Sequence, residues 1–163
     1  MQFTKVIMAL AAMSAVSMVQ AQAVRTERTI SLVLANEAAM AAVAECAGKG
    51  YFVTATIVDR AGQIKAMARG DNAGPHTVDS SRRKAYTSAS LRTGTTPLLE
   101  LSQKNPAAAN LGQIEGFMLV GGGLPIGAGN DVIGGIGVGG APGGHLDDQC
   151  SQAGIDKIKD RLN

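Results

Sequence analysis

Tyr51-Phe52-Val53-Thr54-Ala55-Thr56-Ile57-Val58, then Asp59-Arg60-Ala61-Gly62, then Ile64-Lys65-Ala66-Met67-Ala68-Arg69: this stretch decides the fold. The first run is rich in β-branched and aromatic residues, which suit a pleated, half-buried strand. Asp59 to Gly62 is turn chemistry, with Gly62 able to take positive φ, and residues 64–69 return as the partner strand. The stretch is a β-hairpin.

Upstream, Thr29 or Ser31 caps a predicted helix running through Leu34, Ala38, Ala42 and Cys46 to Lys49, stopped by Gly48 and Gly50. Downstream, residues 70–75 form a loop. Residues 77–92 are helical, with Ser81, Ala85, Ser88 and Ala89 as small residues on one side, and Gly94 and Pro97 end the run. Leu98 to Leu101 add a helical turn, and 105–113 is irregular. Three short strands are expected at 117–120, 124–126 and 132–138. A last helix covers 146–162, with Asp147 and Asp148 in its first turn and Lys157, Lys159 and Arg161 towards its end, as the helix dipole prefers. Helix, hairpin, helix, meander, helix is the order of an α+β domain with helices covering an antiparallel sheet.

The chain has 163 residues, and its first 23 read as a secretory signal peptide. Lys5 carries the positive charge, Val6 to Met18 is an apolar run too short for a membrane span, and Ala21-Gln22-Ala23 has the small residues of a cleavage site. Residues 24–163 are then a single domain of a periplasmic or secreted protein. Removing Lys5 lowers the formal net charge of +2 by one, which argues against a nucleic-acid partner. With 45% apolar residues, disorder is excluded. Cys46 and Cys150 are the only cysteines, too few for a tetracysteine metal site. In an oxidising compartment the pair reads as one disulfide, whose loop of ~100 residues stabilises by about 4–5 kcal/mol in the chain-entropy model. The alternative is two separately buried thiols.

Few residues here can carry chemistry. Gly135-Ile136-Gly137-Val138-Gly139-Gly140 matches a dinucleotide-binding pattern, but a Rossmann unit needs a further parallel strand and an acidic residue beyond, and only a helix follows. The glycines instead let a strand run close to a helix, a neighbouring subunit or a flat ligand. His76 and His145 are the only histidines. His76, at the mouth of the second helix, suits an axial ligand to haem iron or a general base; the plainer alternative is an exposed loop histidine. Arg82, Arg83 and Lys84 follow it, and His76 and Arg83 share a helix face, within reach of a propionate. Without a ligand the three form a solvated basic face. His145 lies beside Asp147 and Asp148, whose position the helix dipole already explains. No serine sits in a nucleophile elbow, so no catalytic residue is assigned.

Four ordered segments carry a resemblance: Thr56 to Gly62, Ser81 to Ala89 (SRRKAYTSA), Gly121 to Ile126 (GGGLPI) and Ile133 to Ala141 (IGGIGVGGA). Together they resemble the GlcG/HbpS-like family, often labelled haem-degrading. The resemblance implies a profilin-like α/β/α domain around a five-stranded antiparallel sheet, assembly as a homo-oligomer, haem binding in some members, and work with a sensor or transport protein. Gly139 stands where the family usually has serine. The low aromatic content, five residues in all, points away from a deep haem pocket and towards a shallow or intersubunit one. The sequence therefore leads to an exported haem-binding protein, with His76 as iron ligand and Arg82, Arg83 or Lys84 at the propionates. A cofactor-free accessory domain and a small-molecule protein of hydroxy-acid (glycolate) metabolism are the alternatives.

Overall fold

The computed structural model describes residues 25–162; the predicted leader, 1–23, lies outside them. Ser31 caps α1 (Leu32–Gly48), its hydroxyl accepting from the Leu34 amide at 3.3 Å. The hairpin follows as β1 (Thr54–Asp59) and β2 (Ile64–Arg69), then α2 (His76–Leu91) and α3 (Thr95–Lys104). Pro97 lies in the first turn of α3, not at a helix end, and Arg92, in left-handed conformation, closes α2. After two short 3₁₀ turns come β3 (Gly123–Ala128), β4 (Asp131–Gly139) and α4 (Gly144–Ile158).

The sheet has four antiparallel strands among the described residues, in the order β2-β1-β4-β3. A fifth strand, expected at 117–120, does not form. Two of its backbone groups are taken by side chains of α2: the Met118 amide donates to Thr87 Oγ1 at 2.8 Å and the Phe117 carbonyl accepts from Arg83 Nη2. Those two groups, already satisfied, are not free to join a ladder.

α1 and α4 cover one face of the sheet and α2 the other. Strand residues alternate between the faces. From β1, Ala55 and Ile57 enter an aliphatic core with Ala38, Ala42, Ile136, Val138 and Ile158. The Cys46–Cys150 disulfide lies in that core and ties α1 to α4. The opposite face of β1 is polar: Thr54 and Thr56 hydrogen-bond Thr77 and Ser81 of α2, each at 2.7 Å.

The glycines of β4 make that second face possible. A Cβ on Gly137 would stand 2.1 Å from the Ser81 carbonyl oxygen and 2.4 Å from the Ala85 nitrogen, so α2 rests directly on the strand backbone. Of the three partners the sequence left open for these glycines, a helix is the one found. At Gly139, where the family's serine would stand, Ser80 of α2 fills the space, its hydroxyl 2.5 Å from the position of a Cβ.

Candidate functional site

α2 holds the residues singled out from the sequence, and its geometry distributes them. His76 is its first residue and is exposed. None of the hydrogen bonds or ion pairs among the described residues uses its imidazole, whose ring folds back over Gly74. Arg82 pairs with Asp79 one turn earlier at 2.8 Å, on the outer surface. Arg83 reaches the other way, to the Phe117 carbonyl.

Lys84 turns inward. Its ammonium donates to Asp147 Oδ2 at 2.8 Å and to the Val138 carbonyl at 2.9 Å, and both side chains of the ion pair are 4% exposed. It is the internal counter-ion of α4, not part of a basic surface. Burial raises the Asp147 carboxyl above its ordinary value, while the ammonium of Lys84 and the Ala141 amide pull the other way.

Asp147 and Asp148 therefore do more than favour the helix dipole. Asp147 accepts from the Ala141 amide at 3.0 Å; Asp148 accepts from the Gly122 amide and from Thr96 Oγ1, each at 2.6 Å. The two carboxylates join α2, α3, the 121–122 loop and the end of β4 at the head of α4. The i,i+1 acidic pair was visible in the sequence; its partners, brought from distant segments, were not. Among the described residues, no group of three or more His, Cys, Asp or Glu could hold a metal ion.

A second region carried no sequence signal. A cavity of about 480 Å³ opens beside β2, lined by Met40 and Val43 of α1, Tyr51, Phe52 and Val53, and Met67 to Asp71. Its walls leave large apolar side chains in solvent: Met40 is 61% exposed, Phe52 52% and Met67 38%. Met67 and Arg69 pair with Thr56 and Thr54, so by strand alternation they belong to the α2 face, whereas α1 packs on the other. The groove thus runs around the free edge of β2. Arg69 stands at its rim, its Nε donating to the Ala73 carbonyl at 3.2 Å.

An antiparallel four-stranded sheet between α1/α4 and a glycine-seated α2, with an open apolar groove at one edge, defines a small α/β/α domain. The chain belongs to the HbpS-like family, whose model, described as "Haem degrading protein HbpS-like", matches residues 30–156. A 15.0 kDa protein of Citrobacter freundii, described as uncharacterized and encoded between dhaT and dhaS, is 33% identical over 114 residues, 69% of this chain and 80% of that protein. The crystal structure of HbpS superposes with a TM-score of 0.78 at 36% identity, covering 82% of this chain and 93% of the other. A PduOC:heme complex has the same fold, with a TM-score of 0.71 at 23% identity over 80% of this chain and 95% of that one.

Proposed function

We propose that this protein binds haem outside the cytoplasm. The observation that carries the reading is membership, across residues 30–156, of a family described as haem-degrading and HbpS-like. The residues present fit such a ligand: an exposed imidazole used in none of the hydrogen bonds or ion pairs among the described residues, Arg82 and Arg83 further along the same helix, and solvent-facing apolar surface at the edge of β2. His76 is the proposed axial ligand, and Arg82 and Arg83 are the proposed propionate partners. Lys84, already neutralised by Asp147, serves the fold instead. The disulfide agrees with an oxidising compartment, and the outer edge of β3, at the other end of the sheet, supports a homo-oligomer.

A hemin titration of the export-processed chain tests this. A shifted, saturable Soret band is expected, lost or strongly altered in His76→Ala with folding intact, because a methyl group cannot ligate iron. Arg83→Ala should weaken binding mildly, by about 1 kcal/mol or less for a partly exposed ion pair. Loss of the shift in His145→Ala but not in His76→Ala would reassign the ligand. No saturable shift in the unaltered protein would leave a cofactor-free accessory domain.

A further inference from the structure

We infer that the groove around the free edge of β2 is the seat of the porphyrin ring, with Arg69 meeting a propionate at its rim. The inference rests on the haem-binding reading and names the surface that would carry it. Three observations converge. The cavity, about 480 Å³, lies within the range that holds cofactors. Met40, Phe52 and Met67 leave a contiguous apolar lining in solvent, a surface that a soluble domain ordinarily covers. Arg69, held at the rim by the Ala73 carbonyl, supplies a cation where carboxylates would leave the apolar lining. Asp71 shares that rim, so a propionate meeting Arg69 must point away from Asp71.

The groove also lies at the end of the sheet from which His76 starts. The Gly70 amide, in the groove wall, donates to the Val53 carbonyl at 2.9 Å, and Thr77, next to His76, bonds Thr54. Both contacts flank the start of β1, and loop 70–75 leads from the rim to the imidazole. Chains of this composition lack the aromatic residues of a deep pocket, and an edge groove with flexible methionine walls is a shallow alternative.

The test uses iron-free protoporphyrin as well as hemin, since the metal-free ring occupies a seat without any axial ligand. Met40→Glu and Met67→Glu place a carboxylate against the ring at solvent-exposed positions, where folding should persist; circular dichroism and thermal unfolding check that it does. Each should weaken binding of both porphyrins by about tenfold or more. Arg69→Ala should weaken it several-fold for both porphyrins. Hydrogen exchange in the unaltered protein should show porphyrin-dependent protection across 40–53 and 64–71.

Saturable binding that is unchanged in both glutamate variants, with protection confined to the head of α2, overturns the groove while haem binding stands. Protection of the β2 edge that depends on protein concentration and not on porphyrin also overturns it, and assigns the edge to a second copy of this chain. Absence of any saturable hemin shift fails the haem reading itself.

Discussion

The two faces of the sheet are held by different physics. Towards α1 and α4 the contacts are aliphatic: Ala38, Ala42, Ile57, Ile136 and Ile158 pack without directional bonds, and one disulfide closes the layer. Towards α2 the apolar contribution shrinks to Val58, Ala85 and Ala89, and the layer is held by hydroxyl pairs, backbone approach at glycine and one buried ion pair. An aliphatic face tolerates changes of shape within its volume; a polar face with every buried group engaged tolerates little. Among the described residues no buried side-chain polar atom lacks a partner.

Breaking the ion pair should give the largest effect. Asp147→Ala strands the Lys84 ammonium, which is 4% exposed, and should cost about 3–5 kcal/mol in urea unfolding. The double variant Lys84→Met/Asp147→Leu should recover most of that loss, because it removes both charges together. A double variant as unstable as the single one would show that the Asp147 bond to Ala141, not the charge, is what matters.

On the opposite face, Cys46→Ala/Cys150→Ala should cost about 2–5 kcal/mol, since the bridge closes a sequence separation of 104. Unchanged stability would mean the aliphatic layer alone suffices. Adding one methyl group at Gly137 should cost about 1–3 kcal/mol or more, because the obstacles are the backbone atoms of Ser81 and Ala85. Ala42→Gly on the other face gives the comparison: it removes packing without a clash.

The smallest effects are in the pH dependence, and the buried and the exposed ion pair should differ in sign. Burial raises the Asp147 carboxyl, so its contribution is full below the unfolded pKa and is lost as pH rises through the folded one. Glu37 of α1 is held below its ordinary value by its hydrogen bond to Arg161, so its contribution is full above the unfolded pKa and is lost as pH falls through the folded one. Relative to Asp147→Asn, the parent's stability should therefore decline with rising pH across the carboxylate range; relative to Glu37→Gln it should increase. Equal slopes in the two comparisons would erase the distinction.

Much of the fold could be read locally. The β-branched run at 53–58 and the turn ending at Gly62 specify the hairpin, and Gly62 does adopt φ +78 beneath the Tyr86 ring. Ser31 marks the start of α1, and the even cysteine pair indicated the bridge that forms. These features depend on neighbours within a few residues, or on a count that distance does not change. Segment 117–120 carried a plausible strand composition, yet Thr87 and Arg83 claim two of its backbone groups, and nothing near it in the chain announces them.

The site divides in the same way. By itself the sequence determined which residues could do chemistry: His76 at the mouth of a helix, three consecutive basic residues after it, and two adjacent carboxylates near the C-terminus. Only the tertiary structure decided how the charges are used. Arg82, Arg83 and Lys84 are equivalent by composition, but successive helical residues point about 100° apart, so one meets Asp79, one the Phe117 carbonyl and one the interior. The partner of Lys84 lies 63 residues away, and the groove walls come from α1, the start of β1 and the edge of β2. A buried charge and a cavity are properties of surfaces brought together by folding, and a linear pattern carries neither.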